Sequence, residues 1–353
     1  MILRSGAALI GRYLKDCRKV FSSPSYSISS NFASMESKHV QNGNALSLAS
    51  LPKEQLTSFM QDIDAVMFDC DGVLWLGMDP LENAQALVIK LRSMGKKVFF
   101  MTNNSTRTQE EFLEKFNKLG FEASVDEIVG TAFLAALYLK ECGFKDKVYV
   151  IGSEGITKEL AKVGIDSLPI GPDAVDPTSL RWNPQDYNID LDPSVGAVIV
   201  GFDHHISYTK ILKAASYLNN DKCLFVATNT DEQFPARGLS SIVCPGTGTF
   251  VNAVKTAAGR EPVVMGKPEP FPFEYVQRKH NLQPNRVLMV GDRGNTDILF
   301  GRECGLWTLL VMSGVTDINS MRRWETSQDP AEKMCVPDYY SQDVNEFYKL
   351  LQN

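Results

Sequence analysis

Short apolar runs alternate with longer mixed segments from Leu56 onwards. Ala65–Asp69, Lys97–Thr102, Lys147–Ile151, Gly196–Gly201, Cys223–Thr228, Pro262–Met265, Arg286–Gly291 and Trp307–Met312 are largely continuous in their hydrophobicity, not alternating. Such runs read as strands covered on both faces. Between them the pattern predicts helices over Leu81–Ser93, Thr108–Leu119, Thr131–Cys142, Gly155–Val163, Tyr208–Leu218, Gly248–Ala258, Pro270–His280 and Thr296–Cys304. Strand and helix at this rhythm predict an α/β protein built on a parallel sheet. Leu168–Pro193 breaks the rhythm with Pro169, Pro172, Pro177, Pro184 and Pro193, and reads as a long surface loop. Glu36–Ser50 is largely polar and reads as unstructured.

Composition narrows the classes. A chain of 353 residues is long enough for two or three folding units with cores of their own. Its formal net charge of -6, without a long basic run, points away from nucleic acid and from anionic membranes. The longest unbroken apolar run, Ala132–Leu139, is too short to span a bilayer. Seven scattered cysteines contain no C-x-x-C, so reduced thiols in a soluble, intracellular, cytoplasmic protein are expected. Met1–Met35 is different, with Arg4, Arg12, Lys15, Arg18 and Lys19 against Asp16 alone, and many serines. That is the composition of a transit peptide, which opens the mitochondrial matrix or the chloroplast stroma as a destination. An untargeted extension, with Met35 as an alternative start, reads equally well.

Chemistry gathers at the strand ends. The run Ala65-Val66-Met67-Phe68 closes on Asp69-Cys70-Asp71-Gly72. Residues i and i+2 of a strand project to one side, so Asp69 and Asp71 can face one site at the carboxyl edge of the sheet. Two like charges so close call for a cation, and oxygen ligands favour Mg²⁺. An acidic turn capping the next helix is the bland alternative for this motif alone. Thr102-Asn103-Asn104-Ser105 ends a second apolar run, Gly266-Lys267-Pro268 follows a third, and Gly291-Asp292 with Thr296-Asp297 ends a fourth. Four strand ends carrying nucleophile, hydroxyl, lysine and carboxylate in that order along the chain rarely assemble by chance.

With these motifs the chain resembles the haloacid dehalogenase-like phosphohydrolases, from about Ile63 to the C-terminus. The wording D-C-D-G-V-L-W, T-N-N-S-T, P-G-T-G, G-K-P and G-D-R-x-x-T-D-I looks like the branch of phosphoglycolate (glycerol-3-phosphate) phosphatase, pyridoxal phosphatase and 4-nitrophenylphosphatases. One departure is Gly294-Asn295, where members of the branch usually carry a bulkier residue and an acid. The resemblance implies a doubly wound, Rossmann-like core with an inserted α/β cap domain. Residues 1–55 would then be an extension, 56–144 plus 262–353 the core, and 145–261 the cap. It further implies a homodimer through the cap and a small-molecule phosphate ester as substrate.

By the same resemblance Asp69 is the nucleophile and Asp71 the general acid and base. Mg²⁺ would be held by Asp69, the Asp71 carbonyl and Asp292, with Asp297 an orienting neighbour of that metal site. Thr102 and Lys267 would bind the transferring phosphoryl group, with Asn103 and Asn104 beside them. Phe234 and Arg237 would face the leaving group, Arg237 pairing with a substrate carboxylate. Phe234 stands where pyridoxal phosphatases carry a histidine, which favours phosphoglycolate or glycerol 3-phosphate. Phe234 in the cap core and Arg237 as a solvated charge are the plainer readings. Pyridoxal phosphate, a protein phosphatase of the same branch and a catalytically silent binding protein are the alternatives. His204-His205 lacks a third ligand, and Pro245-Gly246-Thr247-Gly248 either binds an anion or merely opens a helix.

Overall fold

The computed structural model describes residues 44–173, 189–234 and 242–352. The strands are β1 (Leu46–Ser47), β2 (Ala65–Asp69), β3 (Trp75–Leu76), β4 (Asp79–Pro80), β5 (Lys97–Thr102), β6 (Ile128–Gly130) and β7 (Lys147–Ile151). They continue as β8 (Val195–Val200), β9 (Leu224–Ala227), β10 (Gln233–Phe234), β11 (Cys244–Pro245), β12 (Val263–Val264), β13 (Val287–Gly291), β14 (Trp307–Val311) and β15 (Tyr339–Ser341). One sheet has the order β1-β15-β14-β13-β2-β5-β6, and every neighbouring pair in it is parallel. A second parallel sheet has the order β12-β9-β8-β7.

The apolar runs are continuous because both faces of the large sheet are covered. Met67, Phe99, Met101 and Met289 enter one core. Their immediate neighbours Val66, Phe68, Phe100 and Leu288 enter another. The helix Thr131–Glu141 shows why the two sheets pack as they do. It buries Ala132, Leu134, Ala135, Ala136, Tyr138 and Leu139, leaving almost no polar face. A helix that is apolar all round must be enclosed. Its cluster also contains Val148, Val150, Ala197 and Ile199 of the second sheet, so one core joins the two sheets.

The predicted strands and helices recur with ends displaced by up to three residues. The strands β1, β6 and β15 and the helices Lys53–Asp62 and Ile318–Thr326 were not anticipated. The expectation of an unstructured segment through Ser50 is corrected at its end. Leu46 and Ser47 pair with Tyr339 and Tyr340, Leu48 is buried, and the Ala45 N–H donates to Glu325 Oε1 at 2.8 Å. Burial of Ala45 and Leu48 outweighs the polarity of the residues around them. Ordered structure therefore precedes Leu56, which the predicted extension over residues 1–55 did not allow. The proline-rich segment Leu168–Pro193 lies in part outside the described residues. No helix among them is long and apolar enough to cross a membrane.

Candidate active site

Asp69 closes β2, in the middle of the large sheet, where parallel strands leave a crevice at their carboxyl ends. The Lys267 ammonium donates to Asp69 Oδ1 at 2.6 Å, to Asp297 Oδ1 at 2.7 Å and to the Met101 carbonyl at 3.2 Å. Lys267 is only 2% exposed, a burial that an unpaired ammonium would not tolerate. Burial alone would weaken its hold on the proton, but Asp297 and Asp69 outweigh it and its pKa lies above the ordinary lysine value. Asn103 braces the same lysine, accepting from the Lys267 N–H at 2.9 Å and donating to the Lys267 carbonyl at 3.0 Å. This brace explains an amide directly after Thr102.

Asp292 follows β13 and is held by the Val315 N–H, 2.8 Å from its Oδ2. Two glycines make room for it. A Cβ on Gly72 would lie 2.5 Å from Asp292 Oδ2, and one on Gly314 only 1.7 Å. Gly72 also has φ +91°, so the glycine after Asp69-Cys70-Asp71 is required twice. Carboxylate oxygens of Asp69, Asp292 and Asp297 lie within 4.8 Å of one another. Burial pushes the Asp69 carboxyl well above its ordinary range against the pull of Lys267. Burial, and then the charge of Asp297, push Asp292 up to about 7. One lysine does not balance three clustered carboxylates, two of them buried, and a hard divalent cation fits this donor set. Asp297 is the least free of the three. Its Oδ1 takes Lys267, and its Oδ2 accepts from the Asp292 and Arg293 N–H groups at 3.2 and 3.1 Å. Those bonds suit an orienting role.

Asp71 points into the same cavity, of about 460 Å³, which is lined by strand ends of the large sheet and by segments that follow the strands of the second. Its Oδ1 accepts from Trp75 Nε1 at 2.8 Å and lies 3.5 Å from Lys115 Nζ. Thr102 and Lys267 line the cavity floor, whereas Asn104 is exposed and folded into a turn by its contacts with the Thr106 N–H and hydroxyl. From the side of the second sheet come Phe202, Asn229, Asp231, Phe234 and Thr247. Phe234 is 44% exposed, edge-on to Phe202 at 5.5 Å, and forms wall rather than core. Arg237 lies outside the described residues.

Sequence reasoning missed Lys115, Asp231 and Arg293 as site residues. Asp231 accepts from Asn103 Nδ2 at 3.1 Å and pairs with Arg293 at 3.8 Å, while Arg293 donates to the Gln233 carbonyl at 2.9 Å. These contacts tie the β10 segment to the loop after β13. Gly246 and Gly248 of the P-G-T-G motif have a structural reason. A Cβ there would lie 2.2 Å from the Asp231 carbonyl and 2.3 Å from that of Thr230. The rings of His204 and His205 lie 3.8 Å apart with their planes inclined at 45°, and the His205 N–H donates to Asp203. At the divergent Gly294 a Cβ would lie 2.4 Å from the Trp324 ring, so Trp324 fills the space of a bulkier side chain.

Two family models match the chain. One, described as haloacid dehalogenase-like hydrolase, covers residues 66–166, and one described as HAD-hydrolase-like covers residues 264–346. The glycerol-3-phosphate phosphatase of Gallus gallus is 40% identical over 307 residues, 86% of this chain and 96% of that protein. The chloroplastic phosphoglycolate phosphatase 1A of Arabidopsis thaliana is 38% identical over 303 residues, 85% of this chain and 80% of that protein. The crystal structure of glycerol phosphate phosphatase Rv1692 from Mycobacterium tuberculosis in complex with magnesium superposes with a TM-score of 0.64 at 25% identity, covering 82% of this chain and 78% of that one.

Proposed function

The chain belongs to the haloacid dehalogenase-like hydrolases and is a phosphoric monoester hydrolase; from that premise we propose that it hydrolyses 2-phosphoglycolate and glycerol 3-phosphate through an aspartyl-phosphate at Asp69. The observation that carries the reading is Asp69 beside Lys267 at 2.6 Å, in one cavity with Asp71 and the Asp292–Asp297 pair. An Asp69 oxygen attacks phosphorus while the ester P–O bond breaks and Asp71 gives its proton to the departing alkoxide. Asp71 then takes a proton from water as that water attacks the phosphoryl group, releasing inorganic phosphate and restoring Asp69. Thr102 and Lys267 hold the phosphoryl oxygens, with Asn103 keeping Lys267 in place and Asn104 at the cavity edge.

Asp69, the Asp71 carbonyl and Asp292 would hold Mg²⁺, oriented by Asp297. When bound, the ion neutralises charge on the phosphate and on the attacking carboxylate. Family membership and the acidic cluster support a metal-dependent reaction, and the oxygen-only donor set favours Mg²⁺.

Residues 145–261, extended by β12 to Val264 because that strand pairs with β9, act in this reading as a cap over a core of residues 56–144 plus 265–353, to which β1 also belongs. The placement of Phe202, Asp231 and Phe234 on the cavity supports it. Exposed Tyr208, Ile242 and Val243 in the same segment favour a homodimer through the cap. Phe234 offers no hydrogen bond to a pyridine ring, which favours small acidic or polyol esters over pyridoxal phosphate. Arg237, three residues further along the sequence, would take the carboxylate of phosphoglycolate. We place the enzyme in the cytoplasm, with a plastid or mitochondrial matrix as second reading, favoured by the basic Met1–Met35 and by the chloroplastic relative.

The test is phosphate release by the purified chain from phosphoglycolate, glycerol 3-phosphate and pyridoxal phosphate, repeated with Arg237→Ala. The proposal expects the first two to be preferred, and a selective loss with phosphoglycolate in the variant. A preference for pyridoxal phosphate overturns the substrate assignment.

A further inference from the structure

Lys115 sits where a helix normally keeps an apolar residue. It lies in Gln109–Lys118, on the stripe with the buried Phe112 and Phe116, and is itself only 7% exposed. Its stem is buried, yet its ammonium reaches the cavity. Burying an ammonium costs several kcal/mol unless its charge is met. Two groups meet it here. The Trp75 ring lies beneath Nζ with its centroid at 4.4 Å, and Asp71 Oδ1 lies at 3.5 Å. Trp75 is fully buried and locked edge-on against Phe116 at 4.8 Å and Phe121 at 5.7 Å. Its indole N–H donates to that same Asp71 Oδ1 at 2.8 Å.

Both donors thus converge on one oxygen of Asp71. Among the described residues no hydrogen bond engages the other oxygen, although the side chain is 39% exposed towards the cavity. An oxygen that already accepts from two nitrogens is a poor place for a proton, so the proton of the acid form belongs on Oδ2. We propose that Lys115 and Trp75 are positioning residues. They hold Asp71 by Oδ1 and so assign Oδ2 to proton transfer with the leaving group and, later, with water. This rests on Asp71 being the general acid of the proposed reaction. In this proposal their effect reaches the chemistry through Asp71.

That path has a signature that a merely structural role lacks. The first phosphoryl transfer is the step in which the ester oxygen departs, and kcat/KM reports it. An alkoxide needs the proton of Asp71 to leave, whereas a nitrophenolate leaves readily without one. General acid catalysis contributes roughly 10²–10⁴-fold. A misdirected acid should forfeit part of that for alkyl esters alone.

The experiment compares kcat/KM for glycerol 3-phosphate and 4-nitrophenyl phosphate in the parent, Lys115→Met, Trp75→Phe and Asp71→Asn, with thermal unfolding as a check on folding. Lys115→Met is expected to lose about 10–100-fold with glycerol 3-phosphate and less than about 3-fold with 4-nitrophenyl phosphate, a fraction of the general-acid contribution. Trp75→Phe should show the same selectivity, and carries the test should Lys115→Met fail to fold. Lys115→Arg, which keeps the cation over the ring, should recover part of the alkyl-ester rate. Equal losses with both esters, or no loss with the alkyl ester, overturn the proposal. A parent inactive on every ester, or an Asp71→Asn variant without leaving-group selectivity, instead overturns the reading of the site beneath it.

Discussion

Replacing Lys267 by methionine isolates the electrostatic problem on which the site is built. The side chains are close in length and both pack well, so the change removes charge and three hydrogen bonds while keeping most of the volume. The parent lysine meets Asp69 at 2.6 Å and Asp297 at 2.7 Å, and both lysine and Asp297 are almost completely buried. Breaking a buried pair from one side typically costs about 3–5 kcal/mol, because the remaining charge stays uncompensated. Here two carboxylates lose their partner and Asp292 stands beside them, so the upper half of that range is expected without metal at neutral pH.

The deficit should depend on pH. Asp292 has its folded pKa pushed up to about 7 from an ordinary 3.8, mainly by burial. Its contribution to stability is thus fully present below the ordinary value and is lost as pH rises through 7. Asp69 is raised by burial as well, and losing Lys267 raises it further. The variant's deficit should therefore be smallest in mild acid and largest above pH 7. A divalent cation should restore part of it by binding the folded state. The assay is the urea midpoint of both proteins from pH 5 to 8, with chelator or with Mg²⁺, alongside phosphate release. Turnover should fall by at least about 10²–10³, the usual cost of removing a preorganised donor. An unchanged midpoint, or a deficit independent of both pH and metal, refutes the reasoning.

Three other outcomes are expected. Asp69→Asn, nearly isosteric but unable to form the phospho-enzyme, should keep the fold and lose turnover, and substantial phosphate release by the purified variant would reassign the nucleophile. Activity should depend on Mg²⁺ and fall sharply with Ca²⁺, whose longer bonds and higher coordination number displace Asp69 from its line of attack; full rates after chelation, or equal rates with both ions, would contradict the carboxylate site. Gly314→Ala should lower activity more than its single methyl suggests, because a Cβ there lies 1.7 Å from Asp292 Oδ2 and must push that carboxylate aside; a wild-type metal requirement and rate in that variant would show that Asp292 does not need its present seat.

The strands that carry chemistry were legible because burial on both faces makes them continuously apolar, and the polar residues that end them stand out at once. The strands β1 and β15 were hidden for the opposite reason. They lie at one end of the sheet, are only two and three residues long, and Tyr339-Tyr340-Ser341 is only partly covered. Asp69, Lys267 and Asp292 could be found in the sequence because Asp69 closes an apolar strand, Asp292 follows one directly and Lys267 comes three residues after another. Asp231 and Arg293 could not, since their meeting depends on how the β10 segment folds back over the loop after β13. Lys115 did leave a trace. It occupies the third place after Phe112, on an otherwise apolar stripe, and a charge there requires either exposure or a partner.

The paired residues of the site are also far apart along the chain: Asp69 and Lys267 are separated by 198 residues, and Asn103 and Lys267 by 164. During synthesis β2 emerges early and finds β5 within a short stretch, but its other neighbour, β13, is still to be made. Until then β2 presents an apolar edge of unpaired backbone, the kind of surface that chaperones shield and that aggregates when left bare. The contacts that complete the sheet are non-local, a topology that folds slowly. A nascent chain that has not reached Lys267 holds Asp69 without the ammonium it pairs with in the finished fold. The site therefore comes together late in biogenesis, after β13 has been made.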